Sequence, residues 1–142
     1  MVADTSNTIL RILIADDNER VRRGVAGLLA SEPNWHICGE ASDGPEALLK
    51  ASELLPDLIL LDISMPGMNG LEVARFLRQD LPQTKILVMS QHDPIQLLPL
   101  VVAAGGNGCV DKGRLATDLV VSIKKIGVVA GRTANSKAPF LE

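Results

Sequence analysis

Pro56-Asp57-Leu58-Ile59-Leu60-Leu61-Asp62-Ile63-Ser64-Met65-Pro66-Gly67-Met68-Asn69-Gly70 is the stretch on which the fold turns. Leu58 to Leu61 is a continuous apolar run of the kind buried on both faces in a parallel sheet, and it stops at a carboxylate, Asp62. Met65 to Gly70 turns the chain before a new apolar periodicity begins at Leu71. Asp62 therefore sits where a strand hands over to a loop, the edge at which open α/β sheets carry their ligands. A charge at the end of a buried strand needs a chemical reason.

The same pattern recurs on both sides of this stretch. Leu10 to Ala15 is a short apolar strand closed by Asp16 and Asp17, Lys85 to Met89 is one closed by Ser90, and Cys109-Val110-Asp111 leads into Lys112. Trp35 to Ala41 is more polar and reads as an edge strand. Between the strands lie helical patterns. Asn18 caps a helix that turns Val21, Val25, Leu28 and Leu29 inward and Arg20, Arg22 and Arg23 to water. A second helix runs from about Pro45 to Leu54 and a third from Leu71 to Leu81. The fifth follows Leu115, Leu119, Ile123 and Ile126 to about Val129 and is ended by Gly131. The fourth starts at Asp93-Pro94 but meets Pro99, and an interior proline costs about 3 kcal/mol, so this helix is expected to be kinked, frayed or late to begin. Five strands alternating with five helices predict a flavodoxin-like (βα)5 α/β fold, a doubly wound parallel sheet of order 2-1-3-4-5.

Composition agrees. The 142 residues suit one domain, assigned to 10–131, with a disordered N-terminal segment at 1–9 and a tail or linker stub at 132–142. A hydrophobic content of 46% with only 2% aromatic describes a Leu, Ile, Val and Ala core, better suited to a helix-covered parallel sheet than to a β-sandwich. A net charge of −3 supplies no basic field for phosphate backbones, so direct nucleic-acid contact by this domain is not expected. No run reaches the ~18 apolar residues of a membrane span, which makes a cytoplasmic location the default. Cys38 and Cys109 read as thiols in a reducing compartment, on strands at opposite edges of the sheet and too far apart to pair.

Asp16, Asp17, Asp62, Ser90 and Lys112 each directly follow an apolar strand. Any one of them alone is an ordinary polar loop residue. Strand ends of a parallel sheet converge, however, so three carboxylates fall into one cleft, where their repulsion is costly without a cation. A hard divalent ion that keeps waters and takes carboxylate and phosphate oxygens, Mg²⁺ above all, suits such a cleft.

With ILIADDN, ASDGPEAL, PDLILLDISMPGMNGLE, VMSQHD and AAGGNGCVDK in place, the chain resembles a receiver domain of a two-component response regulator, similar to the NarL/FixJ (LuxR-type) subfamily, over roughly residues 10–130. The resemblance implies that Asp62 accepts a phosphoryl group from the phosphohistidine of a sensor histidine kinase. It further implies that Asp17, Asp62 and the Ser64 backbone carbonyl hold Mg²⁺, that Asp16 acts through water, and that Ser90 and Lys112 bind the phosphoryl oxygens. A homodimer on phosphorylation is compatible with the resemblance; relatives commonly continue into a helix-turn-helix domain, a pattern that does not follow Gly131 here, so the chain is either the receiver portion of a transcription regulator or a stand-alone receiver acting on a partner protein. The family's chemistry is self-modification rather than turnover.

One position departs from the family. Three residues before the lysine, relatives carry an aromatic ring or a histidine that swings inward with the hydroxyl; here stands Cys109, a small hydrophobe without that lever. Ser90 and Cys109 are thus the expected switch positions, with the coupling altered. His92, two residues after Ser90, is either a solvated loop residue or, with Ser64, a flank of the phosphoryl group that tunes its hydrolysis. His36 reads as structural, and the arginines of the first helix as a solvated face, although relatives use that helix in kinase docking. Two alternatives stand beside the leading one. A Mg²⁺-dependent phosphatase of the haloacid dehalogenase type wants an acid where this chain has Ser64, and a phosphorylation-independent receiver-like interaction module has no need of the intact acids, Ser90 and Lys112.

Overall fold

A computed structural model describes residues 8–127. Five strands and five helices alternate: β1 (Leu10–Ala15), α1 (Glu19–Leu29), β2 (Trp35–Ala41), α2 (Gly44–Leu54), β3 (Leu58–Asp62), α3 (Gly70–Asp80), β4 (Lys85–Ser90), α4 (Pro94–Ala103), β5 (Gly108–Asp111) and α5 (Leu115–Ile126). All strand pairs are parallel and their order is β2-β1-β3-β4-β5, as expected from the alternation.

Because side chains alternate across a strand, each central strand feeds two cores. Leu13, Ala15, Ile59, Leu61, Ile86 and Val88 pack with Ala47, Val73, Leu77 and Val101 beneath α2, α3 and α4. Ile12, Ile14, Leu58, Leu60, Leu87 and Met89 pack with Val25, Leu29, Leu119 and Ile123 of α1 and α5. Burial of β3 on both faces is complete, and that is why its sequence is apolar without alternation until Asp62.

Local chemistry sets the helix starts. Asn18 accepts from the N–H groups of Arg20 and Val21, Asp43 from Glu46 and Asp93 from Ile95. Asn69 and Glu72 form a reciprocal capping box at α3. The first residue of α3, Gly70, is pressed against the strand end: a Cβ there would lie 2.5 Å from the Asp62 carbonyl oxygen and 2.7 Å from Ile63 Cα. No larger residue fits without moving the β3–α3 loop.

Three expectations are corrected. Helix α4 runs unbroken from Pro94, capped by Asp93, so it neither frays nor begins late. Pro99 is exposed within the helix and leaves one carbonyl of the preceding turn without its N–H partner. Helix α5 stops at Ile126, because Gly127 takes the left-handed conformation (φ 75°) that closes it, whereas Val129 and Gly131 lie outside the described residues. Arg22 is not on a solvated face. Its side chain is 16% exposed, and its guanidinium donates to the Asp16 carbonyl (2.7 Å) and to Glu40 Oε1 (2.8 Å). Arg20 and Arg23 do face water, and His36 is exposed on edge strand β2. Of the segments expected to lie outside the domain, only Thr8 and Ile9 are among the described residues.

Candidate functional site

The carboxyl ends of β1, β3 and β5 meet in one cleft of about 200 Å³, lined by Asp17, Asn18, Val21, Asp62, Ser64, Gln91 and Lys112. Strand β1 delivers Asp16 fully buried and Asp17 exposed, and β3 delivers Asp62 at 2% exposure. One carboxylate oxygen from each of the three lies within 4.8 Å of the others. The sheet thus brings together acids that lie up to 46 residues apart in sequence.

Each group is held differently. Asp16 Oδ1 accepts from the Asn18 N–H (2.8 Å), while its Oδ2 is buried with no hydrogen bond and has Lys112 Nζ 2.8 Å away. Asp62 Oδ1 accepts from the Ser64 N–H (3.1 Å) and faces Lys112 Nζ at 3.3 Å, which leaves Oδ2 without a partner among the described residues. Lys112 is aimed inward by a short 3-10 turn, Lys112–Arg114, which Asp111 caps by accepting from Gly113 N–H (2.8 Å). Burial, and then the neighbouring Asp16 charge, hold the Asp62 carboxyl above the usual carboxylate range against the pull of Ser64 N–H and Lys112. For Lys112, burial acts to lower the pKa, but contact with Asp16 and Asp62 outweighs it and the ammonium is held above its ordinary value.

Ser90 and Cys109 stand apart from this group. Ser90 is buried at the end of β4, beside Asp111 in register, and its Oγ accepts from the His92 N–H (2.9 Å) rather than lining the cleft. Cys109 lines a separate, mostly apolar cavity of about 340 Å³ between α4, β5 and α5, with Leu87, Ile95, Leu98 and Ile126. Burial and then the Asp111 charge push its thiol up to about 11. Both cysteines are free, on opposite edge strands. The cleft also contains what the sequence reading missed. Gln91 lines it and His92 does not, and the only linear signal for Gln91 was its place directly after a strand-end hydroxyl.

A family model described as the response regulator receiver domain matches residues 12–124. The chain belongs to this family. It is 36% identical over 117 residues to the transcriptional regulatory protein DegU of Brevibacillus brevis, covering 82% of this chain and 50% of that protein. The response regulator VraR of Staphylococcus aureus is 34% identical over 116 residues, covering 82% and 56%. Among solved structures, the receiver domain of the putative response regulator NarL from Mycobacterium tuberculosis superposes with a TM-score of 0.76 at 34% identity, covering 83% of this chain and 95% of that one. A LuxR-family response regulator from Aurantimonas sp. SI85-9A1 gives 0.79 at 31% identity, covering 84% and 85%. This receiver spans about half the length of the curated relatives it matches. It is a two-component response-regulator receiver with an acidic pocket, not a classical enzyme, and the phosphatase alternative falls away. Among its described residues no helix is long and apolar enough to cross a membrane.

Proposed function

We propose that this receiver, located in the cytoplasm, accepts a phosphoryl group on Asp62 from the phosphohistidine of a sensor histidine kinase and relays the event to a transcriptional output in a longer protein. The observation that carries this is the asymmetry of the Asp62 carboxylate. Oδ1 is engaged by Ser64 N–H and Lys112, whereas Oδ2 is uncommitted, as an attacking oxygen has to be. In the transfer, the Asp62 oxygen forms a bond to phosphorus and the bond from phosphorus to the imidazole nitrogen breaks, its electron pair staying on the histidine.

Three carboxylate oxygens, one from each acid and all within 4.8 Å of one another, fit a divalent cation of the Mg²⁺ class. Asp17 and Asp62, with the Ser64 carbonyl, are the proposed direct ligands, and Asp16 acts through water. When bound, the ion offsets the repulsion between the carboxylate and the anionic donor. Lys112 does the same from the protein side and meets the phosphoryl oxygens as negative charge builds on them. Ser90 is proposed to release the His92 N–H and turn its hydroxyl to the new phosphate.

Cys109 offers no ring to move, so the read-out is assigned to the Gln91–Asp93 connection, which joins Ser90 directly to α4. That helix has no charged residue and exposes Ile95, Leu98, Leu100 and Val102, a surface suited to pairing two phosphorylated copies. Incubation with Mg²⁺ and acetyl phosphate, followed by intact mass and sizing, tests the reading. A gain of one phosphoryl group that is lost in Asp62→Ala supports it; no gain, or a gain that survives that substitution, overturns it.

A further inference from the structure

The cleft holds a carboxamide that phosphoryl acceptance does not use. Gln91 is exposed, lines the same cavity as Asp62, Ser64 and Lys112, and its side chain makes no hydrogen bond with any described residue. Two of the polar groups around it are already engaged. Asn18 Oδ1 is held by the N–H groups of Arg20 and Val21 at 2.8 and 3.3 Å, and Lys112 is divided between Asp16 and Asp62. The His92 N–H is tied to Ser90, and its ring does not line the cavity.

A carboxamide accepts and donates at once, so it can take a hydrogen bond from a water and give one to a phosphoryl oxygen. Phosphoryl hydrolysis elsewhere uses a glutamine in this way to orient the attacking water. From this placement we infer that Gln91 positions the hydrolytic water on phosphorylated Asp62 and so sets how long the phosphorylated state lasts. The inference rests on the reading of Asp62 as phosphoacceptor. In the step, the water oxygen bonds to phosphorus on the side opposite Asp62. The bond from phosphorus to the Asp62 oxygen breaks with its electron pair on the carboxylate, and both water protons leave with the product as dihydrogen phosphate. Gln91 Oε1 accepts from the water and its amide donates to the phosphoryl group. The residue is a positioning residue and takes no proton itself.

The test loads the protein with acetyl phosphate and Mg²⁺, removes the donor by desalting, and follows phosphoryl loss by intact mass. In Gln91→Ala the ratio of the loss rate to the loading rate is expected to fall roughly 10- to 100-fold, as when a positioning group is removed. Gln91→Glu, which has no amide to donate and adds a charge facing the phosphate, falls as well, while Gln91→Asn retains part of the rate. An unchanged ratio in Gln91→Ala, or loading and loss altered by one common factor, overturns the inference and leaves Asp62 as acceptor. A wild-type protein that takes up no phosphoryl group overturns both.

Discussion

Lys112 stands closer to Asp16 than to Asp62: its ammonium lies 2.8 Å from Asp16 Oδ2, which has no hydrogen bond and no access to water. Its main partner in the resting protein is therefore the buried acid rather than the proposed acceptor. Removing the cation leaves that carboxylate uncompensated in the interior, which typically costs about 3 to 5 kcal/mol. Lys112→Met is expected to lower the urea unfolding free energy by about this amount without divalent ions, and Asp16→Asn in the same chain to restore much of it. Additive losses in the double variant are the contrary result.

Asp17 is exposed, so its side chain can be changed with little effect on folding, yet it offers an oxygen within reach of Asp16 and Asp62. A cation bound to the native state alone stabilises by about 2.7 kcal/mol at one hundred times its dissociation constant. Saturating Mg²⁺ should raise the thermal midpoint of the wild type, and Asp17→Asn should lose most of that increment. An equal rise in both proteins removes Asp17 from the ligand set.

Asp62 carries a pH signature. Its carboxyl is held above the ordinary range, so the folded state binds this proton more tightly than the unfolded one does. Stability attributable to the group falls as pH rises from the unfolded carboxylate value through the folded one. In urea titrations without divalent ions, Asp62→Asn should be more stable than wild type at neutral pH, and the gap should close below the unfolded carboxylate value. A gap that widens on acidification reverses the sign and the explanation with it.

Cys109 is pushed up to about 11 from the ordinary 9.0, which leaves it roughly 100-fold less thiolate at pH 8 than a free thiol. Alkylation by iodoacetamide at that pH should be slower by a similar factor. Modification as fast as that of a small free thiol contradicts this placement of the side chain.

Pro99 is exposed inside an otherwise regular α4, so replacing it restores a helix N–H without emptying any packed site. An interior proline costs about 3 kcal/mol, of which up to about 1 is returned through the stiffer unfolded chain, so Pro99→Ala should stabilise by about 2 kcal/mol. Chemical denaturation decides it, and a loss of stability is the adverse outcome.

How much of this was legible in the chain depended on whether a signal was linear. The strand ends were, because an apolar run that stops at a charge marks both the strand and its exit, and parallel pairing then brings Asp16, Asp17, Asp62 and Lys112 together. Backbone acceptors are not written in a sequence. Arg22 looked solvated because helical periodicity cannot show that the Asp16 carbonyl lies beside it. Arg78 drew no attention at all, although its guanidinium donates to the carbonyls of Gly105, Leu81 and Pro82 and to Asn107 Oδ1. Choosing Gln91 over His92 needs the path of a three-residue loop, on which periodicity is silent. The end of α5 was misjudged because two glycines could close it, and the first one does.

Gly70 wedged against the Asp62 carbonyl gives the pocket unequal walls. The β3–α3 loop is stitched down by Gly70 N–H to Ile63 O (2.9 Å) and Ile63 N–H to Met89 O (3.0 Å), with no room for a methyl group behind it. The Ser90 side chain, at the end of β4, is tethered among the described residues only by the His92 N–H. Like a vice with one fixed jaw and one sprung jaw, the domain has a compliant side and a stiff one. On the proposed reading, a push exerted at Asp62 would be delivered to the sprung jaw and onward to α4, with the direction of travel set by stiffness rather than by any particular side chain at position 109.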